Sequence, residues 1–489
     1  MIEMPHLPDE VRASLPPVAQ AYIRALEALV SRQETQISEM HAQLQTLQAQ
    51  VTELQARIGQ TSQNSSRPPS SDPPNAPARP QRSPSGRKRG GQPGHKRHER
   101  PLLPVSEVDE VIEHQAVICP ECQAALDSDL PDTGEVERQQ IWDLPDVKPH
   151  ITEHRYHRVT CPHCGAAVEA ERPADVPAGA FGARVVALVG LLHGRYRLSV
   201  REIVALLLDT HHLPISPGAI SDLCQVLSQA LAAPYTESQT VASTAEQANV
   251  DETGWKQAGR RRWLWVMVSV ASTVFLVATQ RSAKALKRLL GEAFQGIVTS
   301  DRFKAYLMWP VERRQICWAH LKRNWVAFSE LPDPLAAWGQ QALAQITDLF
   351  ALWHRFQNGE LDRPALQTAM QPVQAQLRQL LEQGQALPLH KVQAFCRDLL
   401  HLWPALWTFL AVAGVEPTNN AAERALRPAV LWRKGCFGTQ SERGDLFVAR
   451  ILTIVTTCRQ QDRHVLTFLT DSVRAYWARQ PAPALCHTP

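Results

Sequence analysis

Three acidic residues in separate parts of the chain are candidates for one shared metal site. Asp251 ends the apolar run of ANVDETGW, Asp301 follows the apolar run of GIVTSDRF, and Glu423 lies in the first turn of a predicted helix, TNNAAERALR. Carboxylate oxygens are the ligands that hard divalent cations such as Mg²⁺ prefer. Simpler roles remain open. Asp251 could be a strand-end turn residue with Glu252 as its rival, Asp301 could cap a helix, and Glu423 could close a capping box with Asn420.

Two CxxC pairs predict a structural zinc site. Cys119-Pro-Glu-Cys122 and Cys161-Pro-His-Cys164 each form a tight knuckle that presents two thiolates, and two knuckles complete a tetrahedral Zn²⁺ site. A redox CxxC would not need a matched second pair. The segment between the pairs is interpreted as short strands, so we expect a zinc ribbon over residues 101–172, holding one structural Zn²⁺. Scattered remaining cysteines indicate a reducing compartment.

A change of periodicity from residue 241 to 330 indicates how the acids could meet. The predicted order is β-β-β-α-β-α-β-α, a three-strand meander followed by helix-linked strands. A right-handed crossover can place the fourth strand parallel to the first, so that Asp251 and Asp301 lie near the carboxyl ends of neighbouring strands. This is the order of the ribonuclease H fold. On a pleated strand Asp251 and Glu252 point to opposite faces, so only one can enter a shared site.

The chain around this module is predicted to be mostly helical. Residues 331–415 form an all-α insertion, 416–440 the helix of Glu423, and 441–489 C-terminal helices. Residues 175–240 form three helices, the third capped by Ser216, and the turn at HLPIS fits a helix-turn-helix or an ordinary helical packing unit. The predicted fold class is therefore multidomain, with an α/β ribonuclease H-like core, an all-α insertion, an N-terminal coiled coil and a zinc ribbon.

The N-terminal part combines a heptad repeat with a basic, polar segment. Apolar residues repeat at a and d positions over 23–60, broken only by Gln33, which predicts a coiled coil and a homo-oligomer. Residues 61–100 have the composition of a flexible linker. Its basic residues suit either a soluble tether or an arm that binds phosphate. They are Arg79, Arg82, Arg87, Lys88, Arg89, Lys96 and Arg97.

Composition argues against secreted and membrane proteins. The N-terminal MIEMPHLPDE lacks the hydrophobic run of a signal peptide. Residues 263–280 form the most membrane-like stretch, but serines and a threonine interrupt it, so two buried strands joined by a tight turn are predicted instead. The net charge of +3 is uninformative because the basic residues are unevenly placed. We expect a cytoplasmic, nucleoid-associated protein with no membrane partner.

The chain resembles bacterial transposases of the insertion-sequence 66 family over nearly its whole length. The resemblance lies in the zipper, NSSRPPSSD, GGQPGHKR, the paired CPxC knuckles, VDETGWK, SDRFKAY, CWAHLKR and NNAAERALRP followed by RKGCFGT. It implies a DDE transposase whose triad is Asp251, Asp301 and Glu423, acting on element ends and target DNA. It also implies small accessory proteins of the same element.

On a ribonuclease H-like sheet, three carboxylates can hold two Mg²⁺ (or Mn²⁺) ions for cleavage and strand transfer. Contacts with DNA are expected from His320, Arg427 and Lys434, besides the linker residues. Cys317 and His320 form a CxxH without a second ligand pair, which favours a core cysteine and a DNA-facing or structural histidine over a metal site. Two alternatives are a metal-dependent nuclease without strand transfer and a non-catalytic DNA-binding repressor of the element.

Overall fold

The computed structural model describes residues 9–58, 60–65, 100–127, 130, 134 and 136–486. The chain divides into two compact units. The larger is built from the described residues of 1–76, 154–205 and 215–489, and the smaller from those of 77–153 and 206–214.

The N-terminal region is one long helix preceded by a short one, α1 (Asp9–Ala13) and α2 (Pro17–Ile58). Along α2 the apolar seam residues are exposed, with Ile37 at 54%, Leu44 at 52% and Leu54 at 53%. The chain then forms a turn in which Asn64 accepts from the Thr61 N–H at 2.7 Å and donates to Glu330 Oε2 at 2.5 Å. Of the predicted linker, only residues 61–65 and 100 are described.

The two CxxC pairs lie in similar turns, the first in the smaller unit and the second in the larger. In the first, Cys119 N donates to Ala124 O at 2.9 Å, and in the second Cys161 N donates to Ala166 O at 2.8 Å. Strands β1 (Arg158–Thr160) and β2 (Ala167–Glu169) pair antiparallel around the second pair. The rest of the described segment between the pairs contains no regular strand, unlike the sequence prediction, because its prolines remove ladder donors and it has few alternating apolar residues.

Four helices follow, one more than the three that the sequence predicts, because the last part of this region forms a separate helix after Leu231. They are α3 (Ala183–Gly194), α4 (Val200–His211), α5 (Pro217–Ala230) and α6 (Ala232–Ser243). The predicted N-cap is present, since Ser216 Oγ accepts from Ala219 N at 3.2 Å. Gly190 lets α3 approach α5, because a Cβ there would lie 2.0 Å from a methyl carbon of Leu227.

A five-stranded mixed sheet forms the core of the larger unit. Its elements are β3 (Gln247–Gln257), β4 (Arg260–Val268), β5 (Thr273–Ala278), α7 (Ala283–Leu290), β6 (Ile297–Ser300), β7 (Arg314–Ile316) and α8 (Trp318–Ser329). The strand order is β5-β4-β3-β6-β7. The meander β3–β5 is antiparallel, whereas β6 runs parallel to β3 and to β7. This is the predicted order of elements, with a 3-10 turn at Lys304–Met308 in place of a short helix.

The predicted all-α insertion is present between β7 and the helix of Glu423. It contains α9 (Leu335–Gln357), α10 (Arg363–Gly384), α11 (His390–His401), α12 (Trp403–Leu406) and α13 (Thr408–Ala411). Its core is aromatic, with Trp325 and Trp338 at 4.4 Å between ring centroids.

The chain ends in three helices, α14 (Asn420–Cys436), α15 (Glu442–Gln460) and α16 (Val465–Trp477). Helix α15 packs on the edge strand β5, where Thr453 Oγ1 accepts from Phe275 N at 2.9 Å. Residues 263–280, the membrane-like stretch, form most of β4 and all of β5, as predicted. Among the described helices, none is long and apolar enough to cross a bilayer.

Candidate metal centre

Asp251 lies at the centre of a cluster of carboxylates on the sheet. It is half-buried on β3, the middle strand, and its Oδ1 accepts from Glu252 N at 2.8 Å. Burial raises the pKa of Asp251 well above its ordinary value, and the negative charges of Glu252, Asp301 and Glu423 raise it further. Such charge effects weaken with distance, so the carboxylates that act on Asp251 lie in its neighbourhood. The fold therefore brings the three predicted acids together, with Glu252 as a fourth.

Glu252 differs from Asp251 in that side-chain donors engage both of its carboxylate oxygens. Its carboxylate is fully buried and accepts from Arg281 Nε at 2.6 Å and from Tyr306 Oη at 2.5 Å. Burial, followed by the charge of Asp301, raises the pKa of Glu252. A carboxylate satisfied in this way offers less to a cation than Asp251, which accepts one backbone N–H.

Arg281 connects Glu252 to Asp301. Its Nη2 pairs with Glu252 and lies 3.7 Å from Asp301 Oδ2, and its guanidinium stacks on the Phe303 ring at 3.5 Å from the centroid. Asp301 directly follows β6, and its Oδ1 accepts from Phe303 N at 2.8 Å. The side chain thus caps its turn with one oxygen and turns the other towards the cluster.

Glu423 lies in the first turn of α14 and does not form a capping box. The N-cap is Asn419, not Asn420, and no side chain caps this end of the helix. Glu423 Oε1 is buried without a hydrogen-bond partner among the described residues; His320 Nδ1 lies 3.6 Å away and Arg323 Nη2 3.9 Å away. An unpartnered buried carboxylate oxygen is costly, which suits a cation ligand.

Asn419 attaches the start of α14 to the sheet. The side chain is 1% exposed, and its Nδ2 donates to Val250 O at 2.8 Å while its Oδ1 accepts from Asn249 Nδ2 at 3.0 Å. Its backbone N–H donates to Cys317 Sγ at 3.2 Å. One buried side chain therefore links the Glu423 helix to the residue before Asp251. No pattern in the sequence indicated this, because Asn419 was one polar residue of a turn.

The cluster fits a hard divalent cation. The charges of Asp301 and Glu423 both act on Asp251, and the buried oxygen of Glu423 has no hydrogen-bond partner in the described part of the chain. Arg281 offsets part of the charge by pairing with Glu252 and Asp301. All-oxygen donors suit Mg²⁺ or Mn²⁺ rather than a soft metal.

The other predicted DNA-binding residues occupy different surroundings. His320 is 21% exposed, and burial, followed by the charge of Arg323, lowers its pKa. Arg427 and Lys434 are exposed on α14. Arg433 instead turns onto β3, donating to Thr253 Oγ1 at 3.0 Å and to Gly254 O. The linker residues lie outside the described residues. They are Arg79, Arg82, Arg87, Lys88, Arg89, Lys96 and Arg97.

Each CxxC pair has the local geometry of a metal knuckle. The pKa of Cys119 is lowered first by the backbone N–H of Cys122, then by that of Glu121. The pKa of Cys161 is lowered in the same way, first by the backbone N–H of Cys164 and then by that of His163. Backbone N–H groups aimed at sulfur stabilise a thiolate, the form that binds zinc.

Three family models match parts of the chain. Residues 178–445 match the family described as "Transposase IS66 family", 117–165 match "zinc-finger binding domain of transposase IS66", and 13–101 match a family of unknown function. The chain is 22% identical to uncharacterized protein y4hP of Sinorhizobium fredii over 74% of this chain and 72% of that protein. It is 25% identical to uncharacterized protein y4qI of the same organism, over 44% of this chain and 43% of that protein. Because the first match covers more than half of the chain, including the carboxylate cluster, the chain belongs to the IS66 family of transposases.

Proposed function

We propose that this transposase cleaves DNA at the ends of its element and joins those ends to target DNA, using Asp251, Asp301 and Glu423 as the ligands of two Mg²⁺ or Mn²⁺ ions. One observation carries the proposal. Residues far apart in sequence form one carboxylate cluster in which the charges of Asp301 and Glu423 both raise the pKa of Asp251.

The topology supports a ribonuclease H-like core. The order β5-β4-β3-β6-β7, with β6 parallel to β3, has the antiparallel meander and parallel crossover of that fold. Asp251 lies on the middle strand and Asp301 follows its parallel neighbour. Ligand sites of open α/β sheets lie at the carboxyl ends of strands, where Asp301 stands, whereas Asp251 lies within β3, two residues after the last one paired with β6.

The side chains around the cluster have separable roles in this mechanism. When bound, the two ions supply positive charge to the scissile phosphate and activate the attacking oxygen. Tyr306 and Arg281 hold Glu252, and Arg281 in turn holds the Oδ2 side of Asp301. Arg427 and Lys434 contact the DNA backbone in this proposal, which their exposure on the Glu423 helix supports.

Three further regions of the chain have roles in this proposal. The four cysteines Cys119, Cys122, Cys161 and Cys164 bind one structural Zn²⁺ in a DNA-binding ribbon. The exposed seam of α2 pairs with a second copy, so that two element ends are held together. The basic linker contacts DNA phosphates. The protein acts in the cytoplasm at the nucleoid, together with accessory proteins of its element.

Asp301→Asn tests the catalytic assignment. The change removes a cluster charge while keeping the size of the side chain, so we expect Mg²⁺-dependent cleavage of element-end DNA to be lost and DNA binding to persist. Asp348→Asn, at an exposed position of α9, is the matched control and should cleave normally. Loss of binding together with cleavage would assign Asp301 a folding role instead.

A joining assay separates transposition from simple hydrolysis. Precut element ends are incubated with a supercoiled plasmid and Mg²⁺. The proposal predicts end–plasmid joints, whereas a nuclease without strand transfer yields only cut DNA. Protein that binds ends and neither cuts nor joins them, even with Mn²⁺, would be a repressor.

A further inference from the structure

A second group of metal-ligand side chains lies beside the carboxylate cluster. Ligand atoms of Cys317, His320 and Glu423 all lie within 4.8 Å of one another. Cys317 is the N-cap of α8, His320 lies in the first turn of the same helix, and Glu423 comes from α14. The sequence lacked a second ligand pair for this CxxH. The fold provides a third ligand from a helix about a hundred residues later in the chain.

The sulfur of Cys317 lies among backbone N–H groups in the manner of the two knuckles. Asn419 N donates to it at 3.2 Å, and the N–H groups of His320 and Ala319 also face it. These two amides are three and two residues after the cysteine, the same positions that act on Cys119 and Cys161. Burial raises the pKa of the Cys317 thiol, and these N–H groups act in the opposite direction, as does the dipole at the N-terminus of α8.

The two other ligand atoms are without hydrogen bonds in the described part of the chain. His320 Nδ1 and Glu423 Oε1 are both buried and unpartnered, 3.6 Å apart. Two ligand atoms bound to one tetrahedral Zn²⁺ at about 2.0–2.1 Å lie roughly 3.4 Å from each other. A shift of a few tenths of an ångström would therefore let both atoms bind the same ion.

We propose that Cys317, His320 and Glu423 bind one borderline-soft divalent ion, with Zn²⁺ as the reference occupant. Sulfur and imidazole donors select zinc-class metals over Mg²⁺, and three protein ligands leave the fourth position to water. The bond to zinc replaces the S–H bond of Cys317, and the released proton passes to solvent. The ion holds Glu423 through Oε1 and leaves Oε2 to the ions of the carboxylate cluster.

This inference goes beyond the proposed reaction and has its own readout, which is bound metal. Full-length protein is stripped with a chelator, equilibrated with buffered Zn²⁺ and assayed for zinc per chain. Cys317→Ser should hold about one zinc ion fewer than wild type. Cys396→Ser, which alters a buried cysteine of α11 outside any ligand group found among the described residues, should hold as much as wild type.

Two further measurements show whether the variants are folded and whether the lost metal belonged to the zinc ribbon. His320→Ala should show the same zinc loss with an unchanged circular dichroism spectrum. In the Cys119→Ser/Cys122→Ser/Cys161→Ser/Cys164→Ser background, the near-ultraviolet thiolate band of bound Co²⁺ should persist, and it should disappear when Cys317→Ser is added. Equal zinc content in wild type, Cys317→Ser and His320→Ala would overturn the site, as would a Co²⁺ band independent of Cys317. Neither result depends on DNA cleavage.

Discussion

Asn419→Ala removes the side chain that attaches the Glu423 helix to the middle strand of the sheet. The variant deletes the 2.8 Å donor to Val250 O and the 3.0 Å acceptor of Asn249 Nδ2. The backbone contact with Cys317 remains, because it uses the main-chain N–H. The perturbation is therefore confined to the link between α14 and β3.

The expected cost follows from the groups left behind. A buried polar group that loses its partner costs about 1–3 kcal/mol. Val250 O keeps a distant donor, Tyr306 Oη at 3.5 Å, and Asn249 is half-buried and can reach water, so both costs fall towards the lower end. We expect the free energy of unfolding to fall by roughly 2–4 kcal/mol.

Urea unfolding followed by tryptophan fluorescence measures this loss, with Asn420→Ala as control. Asn420 is the exposed neighbour, and its change should fall within about 0.5 kcal/mol of wild type. Cleavage by the folded Asn419→Ala protein should fall by about 10²-fold, because Glu423 is displaced from the cluster. Equal stability of the two variants would refute the network, and full activity in a destabilised Asn419→Ala would refute its positioning role.

Three further predictions concern charge, backbone and DNA. In metal-free protein, the raised pKa of Asp251 means that the folded state keeps the Asp251 proton at pH values where the unfolded state, above about pH 4, has released it. The free energy of unfolding should therefore fall as the pH rises from about 4 to the raised pKa of Asp251. In thermal melts in EDTA, Asp251→Asn should no longer lose stability over this pH range. The variant should also lose the stabilisation that Mg²⁺ gives the wild type, about 2.7 kcal/mol at a Mg²⁺ concentration of 100 times Kd. Gly438→Ala should cost roughly 2–4 kcal/mol in urea unfolding, since φ is +111° and a Cβ would lie 2.2 Å from Lys256 O, whereas Gly435→Ala meets nothing within 4 Å and should be neutral or slightly stabilising. If the linker contacts phosphate, log K for DNA should fall with log salt at a slope of up to roughly −6, and a slope near −2 would make it a tether.

Much of the fold could be predicted because its signals are local. Alternating apolar residues placed the five strands, and a change to helical periodicity placed α7 and the insertion. The pleat rule predicted that only one of Asp251 and Glu252 enters the site, yet the charge of Glu252 also acts on Asp251, and Arg281 connects Glu252 to Asp301. Ser216 was recognisable as an N-cap because capping depends on a residue three positions away.

The finer parts of the site depend on contacts that no local pattern encodes. Arg281 and Tyr306 hold Glu252 across gaps of 29 and 54 residues, and Asn419 reaches Val250 across 169. The capping-box alternative for Glu423 looked well formed in sequence, yet the helix begins one residue earlier than that motif requires and leaves its end uncapped. Arg433 likewise donates to Thr253 on β3 across 180 residues.

The central claim is that Asp251, Asp301 and Glu423 form one site for a divalent cation. It is tested most directly by titrating chelator-treated protein with Mn²⁺ and following the free ion by electron paramagnetic resonance. The account predicts that Asp251→Asn, Asp301→Asn and Glu423→Gln each weaken the same binding event by roughly 10–100-fold or more, whereas Glu442→Gln, at the exposed start of α15, leaves it unchanged. Undiminished Mn²⁺ affinity in Glu423→Gln, or in either aspartate variant, would contradict a shared site.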